Sequence, residues 1–514
     1  MRVTRLGCVV VLLVAQSAWA APGDPFGGDV AGCYPADRDA AKCEAAVTKA
    51  VGKAILCLAL CHVKRADGKL DAAGETACID GDPTKSCRAR YDKVVGTASK
   101  IGPLCPPAMD AAYRAGLFAT TRAEVNARND RGYPCAVTTT TTTTTSTSTT
   151  SSLPPCPDQD GDGWTTCDGD CCDSPTGCPD PAHVNPGALE IVGNGVDDDC
   201  DPSTSDTSPA PGCSTLQSFT GVTPLAVAQA MEICQTTAAD APLPQRKWGL
   251  IAAEFVLADG TVPTAAQLSD MHNYQAAILT AYGTGGVVPT AGATMAGISN
   301  GRMRDENDPG FVNPNGGTTF TSAVQPPAVY TAAHGGALQP GACGASTCPV
   351  GSGANDSINV RLTLRVPTNM RSLAYDFRFF SAEYQSYQCT AFNDYYLALL
   401  TSGAAGIPAD HDISFDALGH AVSVNNGFFQ VCGGNGKNCG TCPYGTGALA
   451  GTGMELANTG GGTPWLTSEA PVAPGETIQL EFTIFDVSDH ILDSVALLDH
   501  FRWSPQTVTV NTHQ

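Results

Sequence analysis

Ile358-Asn-Val-Arg-Leu-Thr-Leu-Arg-Val366 alternates apolar and polar residues without a break, and Leu373-Ala-Tyr-Asp-Phe-Arg-Phe379 does the same close behind it. Successive side chains of a strand point to opposite faces. This period of two therefore gathers Ile358, Val360, Leu362, Leu364 and Val366 on one face, and Leu373, Tyr375, Phe377 and Phe379 on another. Ile478, Leu480, Phe482 and Ile484 repeat the period farther on, as do Val495, Leu497, Asp499, Phe501 and Trp503. Loops rich in Gly, Pro and Asn separate these runs. Together they predict an all-β, jelly-roll-like sandwich with one buried face per sheet. Pro224–Cys234 and Thr264–Leu279 read as helices flanking it.

Upstream of the sandwich the composition changes twice. Residues 138–152 are all Ser or Thr and are followed by Leu153-Pro-Pro155. Such a run has nothing to bury and reads as an extended linker over 138–155. Residues 21–137 read as helical. Asp39–Lys64 is Ala-rich, with Val47, Val51, Ile55 and Leu58 at helical spacing, and Thr84–Lys100 and Ala108–Asn129 are further helical stretches. At the start, Arg2 and Arg5, the apolar run Leu6–Ala15 and Ala18-Trp-Ala20 have the pattern of an export signal over residues 1–20. After it, no run of about 18 apolar residues suggests a transmembrane segment.

The 514 residues include 23 Cys. Cys8 leaves with the signal. The others fall into three even sets: Cys33, Cys43, Cys57, Cys61, Cys78, Cys87, Cys105 and Cys135; Cys156, Cys167, Cys171, Cys172, Cys178 and Cys200; and Cys213, Cys234, Cys343, Cys348, Cys389, Cys432, Cys439 and Cys442. In an exported chain these read as disulfides within each module, with pairing left open. Cys57 and Cys61, at i and i+4, share a helix face suited to bonding a neighbouring helix. Cys57-Leu-Ala-Leu-Cys61-His62 has one residue too many for haem attachment. Cys432-x6-Cys439-Gly-Thr-Cys442 contains a Cys-x-x-Cys, which in an exported chain reads as a disulfide-bonded loop rather than a zinc site.

The formal charge is −22. It argues against nucleic acid and anionic lipid as partners, both of which need a basic surface. The charge is concentrated: residues 136–213 hold 13 acids and no Lys or Arg. Within them, Asp158-Gln-Asp-Gly-Asp-Gly-Trp164 places carboxylates at alternate positions of a glycine-turned loop, a pattern that suits Ca²⁺. An EF-hand would put Glu at the twelfth position, which is Gly169 here, flanked by Asp168 and Asp170. The candidate ligands are Asp158, Asp160, Asp162, Trp164, Asp168, Asp170, Asp197, Asp199 and Asp201.

Four blocks carry a resemblance here: Asp158-Gln-Asp-Gly-Asp-Gly163, Cys167-Asp-Gly-Asp-Cys171, Asn185-Pro-Gly-Ala-Leu-Glu190 and Gly193-Asn-Gly-Val-Asp-Asp-Asp-Cys-Asp201. Residues 156–212 resemble the MopE-type metal-binding motif of secreted and surface proteins of bacteria. That name suggests copper, but one His (His183), no Met and 13 acids favour Ca²⁺.

Phe379-Phe-Ser-Ala-Glu-Tyr384, Ala391-Phe-Asn-Asp-Tyr-Tyr-Leu-Ala-Leu399, Val422-Ser-Val-Asn-Asn-Gly427, Val472-Ala-Pro-Gly-Glu476 and Asp493–Trp503 resemble the Choice-of-anchor L domain of bacterial exported proteins. The resemblance covers 213–505 and leaves 506–514 as a tail. Its name refers to varied surface-anchoring signals; no anchor is visible in this sequence. Glu383, Asn393, Asp394, Asp486 and Asp493, with Asp489 and Asp499 nearby, form a second candidate metal site. The competing reading is that they cap turns and pair with Arg378 and Arg502.

No nucleophile elbow, His-Glu-x-x-His, phosphate loop or dinucleotide fingerprint occurs. No haem, nucleotide or flavin is expected. The sequence thus predicts a multidomain, non-catalytic protein, secreted or at the cell surface, with the periplasm as a further location. A disulfide-rich helical module, a small acidic metal-binding module and a β-sandwich would bind an extracellular glycan or protein. Two alternatives stand beside this reading. One is a polysaccharide hydrolase using Glu383 and Asp394 as its carboxylate pair; the other is a metal-sequestering surface protein.

Overall fold

The computed structural model describes residues 37–67, 69–95, 101–106, positions between 109 and 125, 156–174, 178, 180–204, 213 and 215–514, the last stretch without 317, 321–322, 344–345, 434–440 and 457–459. The expected signal over residues 1–20, the expected 138–155 linker, Cys33, Cys135 and Cys439 lie outside these residues. The chain divides into two units, Met1–Thr149 and Thr150–Gln514.

In the first unit, α1 (Arg38–Ala66) starts at Asp37, whose carboxylate accepts from the amides of Asp39 and Ala40. Asp39 in its first turn and Lys64 and Arg65 in its last complement the helix dipole. Its buried stripe is Cys43, Val47, Ala50, Ala54, Leu58 and Cys61. The short α2 (Ala72–Thr76) and a π turn at Ala77–Gly81 lead to α3 (Cys87–Val95). The α3 helix begins later than Thr84 because the Asp82 carboxylate takes the amides of Thr84 and Lys85 in a turn.

Cys57 bonds Cys87 of α3, Cys61 bonds Cys78 of the π turn, and Cys43 bonds Cys105. One helix face thus reaches two neighbours, as the i, i+4 spacing implied. Closing loops of 17 to 62 residues restricts the unfolded chain by about 3 kcal/mol or more per bond in the chain-entropy treatment. By length and composition alone α1 is long and apolar enough to cross a membrane, with 28% of its most apolar window buried. The sequence reading had not singled it out. In this unit it is the helix around which the disulfides are built.

The second unit contains, in order, β1 (Gly249–Val256), β2 (Ala276–Leu279), β3 (Met295–Ser299), β4 (Ala323–Val324), β5 (Ala342–Cys343), β6 (Ser346–Thr347), β7 (Ala354–Arg365), β8 (Ser372–Ser381), β9 (Tyr395–Thr401), β10 (Val422–Ser423), β11 (Val431–Cys432), β12 (Gly461–Gly462), β13 (Leu466–Pro471), β14 (Thr477–Asp486), β15 (Ser494–Ser504) and β16 (Asn511–His513). One antiparallel sheet runs β1-β7-β14-β9-β10, with β4 beside β7. The other runs β11-β12-β8-β15-β3-β2, with β13 beside β8 and β16 beside β13. β5 and β6 form a separate hairpin.

The facing sides build the core the alternation predicted. Leu362, Val360 and Ile358 lie opposite Leu480, Phe482 and Ile484, and Leu480 and Phe482 opposite Leu400 and Ala398. From the other sheet come Leu373, Tyr375, Phe377 and Phe379. Phe377 stacks on Tyr396 with centroids 5.1 Å apart, and Tyr375 meets Phe482 edge-on at 4.9 Å. Within this core the Tyr396 hydroxyl donates to Tyr375, which contacts Ser414, then Ser468, then Thr512. The chain satisfies hydroxyls that burial would otherwise penalise.

Four expectations need correction. Both faces of the sheets are largely buried: Phe380, Val495 and Leu497 form a second cluster, and Leu397, Leu399 and Phe485 another, under loops that fold back over the sheets. In β15 it is Ala496 and Leu498 that face the inter-sheet core; Val495 and Leu497 face outward. Val-Ala-Leu-Leu is apolar throughout, so its phase is ambiguous. A register shift between Asp499 and Arg502 then returns Phe501 to the core. Ala276–Leu279 is a strand paired with β3, a tertiary contact overriding helix-forming residues. Finally, the expected tail contains β16, whose Thr512 ends the hydroxyl chain.

Pro224–Ala230 and Ala265–Asp270 are helices, each started by a threonine cap. Cys213 bonds Cys234, Cys348 bonds Cys389 and Cys432 bonds Cys442.

Candidate metal centres

The acidic segment has almost no regular structure. Cys156–Cys167, Cys171–Cys200 and Cys172–Cys178 hold it, all within the segment. Its first loop is wound by its own aspartates. Asp158 accepts from the amides of Gly161 and Gly163, Asp160 from Asp162, and Asp162 from Trp164. Gly161 and Gly163 have φ of 83° and 93°, a region where a side chain would be strained. Trp164 is buried, and its ring lies against Gly187.

This winding brings the carboxylates together. Asp158, Asp160 and Asp173 offer oxygens within 4.8 Å of one another, and so do Asp160, Asp162 and Asp170. A second centre groups Glu190, Asp197 and Asp199 by the same measure. Burial pushes the Asp170 carboxyl up to about 6, and neighbouring Asp162, Asp160 and Asp173 add to this. Burial likewise raises Asp162, Glu190 and Asp199. One oxygen each of Asp160, Asp170 and Glu190 is buried without a hydrogen bond. The donor set is carboxylate oxygen throughout, and the orphaned acceptors fit a hard divalent cation such as Ca²⁺ better than a soft metal.

Two candidates lie elsewhere. Asp168 accepts from the Thr165 hydroxyl, 2.6 Å away. Asp201 is held well below the usual carboxylate range by hydrogen bonds from Lys247 and Ser203. Asp173 and Glu190 had not been identified. Asp173 sits just past the Cys pair, where loop spacing gives no cue. Glu190 was visible only as the end of the Asn185–Glu190 block.

The segment is fixed to the sandwich. Leu189 and Asn369 exchange hydrogen bonds of 2.9 and 2.7 Å, and the Thr368 amide donates to Gly187. Fully buried Asn185 joins the two: its amide nitrogen donates to Asp162 at 2.7 Å, and its oxygen accepts from Thr368 Oγ1 at 2.7 Å and from the Gly187 amide. Lys247 reaches Asp201 across the same boundary at 2.8 Å.

The second candidate set also converges, at one end of the sandwich. Glu383 follows β8 and Asp493 precedes β15, in one sheet; Asp394 precedes β9 and Asp486 ends β14, in the other. The Asp394 amide donates to Glu383 Oε2 at 2.9 Å. Burial and mutual repulsion push all four carboxyls upward, most directly between Asp394 and Glu383, Asp486 and Asp493. Ser494 and Asn300 oppose this at Asp394. Asp499 is separate, capping the turn at Thr290 and Ala291. The structure does not pair the cluster with the arginines: Arg378 donates to the Thr463 carbonyl and lies over Phe380, while Arg502 bonds Asp376. Glu383 and Asp394 are 1% and 0% exposed, so neither carboxyl faces a groove.

Residues 354–501, from β7 to β15, match the family model of the Choice-of-anchor L domain. The match is about 150 residues long. It is shorter than the 213–505 span of the sequence resemblance; β1–β3, which lie outside it, belong to the same two sheets. It does not extend to the acidic segment. No curated protein and no solved structure matches the chain. The Choice-of-anchor L domain points to a protein associated with the cell surface, and the many disulfides are consistent with an extracellular location.

Proposed function

We propose that this is a non-catalytic binding protein, secreted or at the cell surface, in which Ca²⁺ holds the acidic segment against the β-sandwich. The sandwich then presents the surface that binds an extracellular glycan or protein. The observation that carries the reading is the grouping of Asp158, Asp160, Asp162, Asp170 and Asp173 around buried carboxylate oxygens that lack partners. Leaving such groups uncompensated costs about 1–3 kcal/mol each, more when they are charged. A divalent cation would compensate several at once. The burial of Glu383 and Asp394 supports a non-catalytic reading, because a glycosidase pair must flank its substrate.

The test is a glycan-array and surface-extract binding screen with the full chain, with Ca²⁺ and with chelator. Ca²⁺-dependent capture of a defined ligand is expected. Hydrolysis of a polysaccharide, or binding and proteolytic stability indifferent to chelator, would refute the proposal.

A further inference from the structure

We infer that the β-sandwich holds a second divalent cation, Ca²⁺ by its donor set, buried between its two sheets by Glu383, Asp394, Asp486 and Asp493 with Asn393 and Ser494. This site is independent of the acidic segment and lies inside the stretch that matches the Choice-of-anchor L domain.

The placement argues first. Each sheet contributes two of the four carboxylates from adjoining strand ends. All four side chains are at most 7% exposed. Among the described residues, none of the four forms an ion pair with Lys, Arg or His, so no protein cation offsets them. Like charges taken out of water repel one another more strongly than in water.

The second observation is independent of charge. Both oxygens of Asp394, fully buried, have no hydrogen-bond partner. Neither do the Asn393 side-chain oxygen, one oxygen of Asp486 or the Ser494 hydroxyl. Ser494 and Asn300 lie near Asp394 but do not reach hydrogen-bond geometry with it; the Asn300 oxygen instead accepts from the Ser494 amide at 2.7 Å. Native proteins seldom leave this many buried polar atoms unpaired in one place. Carboxylate, amide and hydroxyl oxygens are the ligands of a six- to eight-coordinate Ca²⁺ shell. Among the described residues, no three of these carboxylates bring oxygens within 4.8 Å of one another, in contrast to the acidic segment. The shell therefore draws on the amide and hydroxyl as well. The competing occupant is protons, which would leave a cluster of neutral acids.

Elemental analysis of the full chain separates the two. Asp160→Asn, Asp170→Asn and Asp199→Asn together disable the acidic segment. After dialysis against metal-free buffer, this variant should retain one Ca²⁺ per chain, and adding Asp394→Asn should remove it. Asn393→Asp guards against a fold-loss artefact. It adds a carboxylate, so it should lower the Tm in chelator and enlarge the Ca²⁺-induced rise; a merely structural role would shift the Tm equally in both. The inference is overturned if the triple variant retains no divalent metal. It is also overturned if Asp394→Asn changes the Tm by the same amount with Ca²⁺ and with chelator.

Discussion

Asn185→Ala offers the sharpest probe of how the acidic segment is joined to the sandwich. Asn185 is fully buried, and truncation removes three hydrogen bonds, to Asp162, Thr368 and Gly187. The bond to the Asp162 carboxylate is charge-assisted, worth about 1.5–3 kcal/mol, and the neutral ones about 1 kcal/mol each. Thr368 can recover a water, so the net cost should be about 3 kcal/mol. For a domain of this size that lowers the Tm by roughly 6 °C. Asn185 also orients Asp162 of the proposed metal site, and losing such a support typically weakens metal affinity by about 10- to 100-fold. Calorimetric unfolding and Ca²⁺ titration of the full chain measure the two effects. A Tm drop below about 2 °C together with Ca²⁺ affinity within about twofold of the wild type would sink the reasoning.

Three further outcomes are expected. Chelation should red-shift tryptophan emission and Trp164→Phe should remove most of that change, since Trp164 is buried next to Asp162 of the proposed calcium site; an unaltered response in the variant would count against the site. Phe482→Ala, at the centre of the inter-sheet core, should cost about 3–5 kcal/mol in chemical denaturation, and a cost below about 1 kcal/mol would contradict the packing. Burial raises Asp412 well above the usual carboxylate range, while amides of Ser414 and Ala398 partly oppose this. With the folded pKa above the unfolded value of about 4, its contribution is full below about pH 4 and is lost as pH rises through the folded pKa. Asp412→Asn should therefore flatten the fall in stability as pH rises above about 4; parallel curves for variant and wild type would exclude this role.

The sandwich was legible because Ile358–Val366, Leu373–Phe379 and Ile478–Ile484 each alternate cleanly, and one buried face needs nothing more. Their wet faces were not wet. Periodicity is local, and it cannot register that residues far away in sequence return to cover Phe380 or Phe485. β15 shows the limit from the other side: where Val495–Leu498 is apolar at every position, only pairing with β8 sets the phase. In the acidic segment the Asp-x-Asp-x-Asp spacing located the first carboxylates because one tight loop holds them. Asp173 arrives through disulfide-constrained backbone, which no spacing rule describes. Glu383, Asp394, Asp486 and Asp493 could be named from sequence, but their decisive property is burial with no ion pair among the described residues. That emerges only when four strand ends meet.

The disulfides have a consequence for how the chain acquires its structure. The pairs among the described residues span from 6 to 62 positions, and none joins residues 43–105, 156–200 and 213–442 to one another. Eight cysteines in one pool have on the order of 100 pairings and six have roughly 15, and the number climbs steeply if pools merge. If the chain is exported N-terminal end first into an oxidising space, as proposed, it meets most correct partners before the next set appears. Order of arrival then does much of the sorting that a disulfide isomerase would otherwise perform. Cys171 and Cys172 are the exception that needs it: adjacent in sequence, they must bond in different directions, to Cys200 and Cys178. Cys178 lies far closer in sequence to both than Cys200 does, so a wrong Cys171–Cys178 bond is the natural misstep, and the one through which slow refolding of the reduced protein should pass.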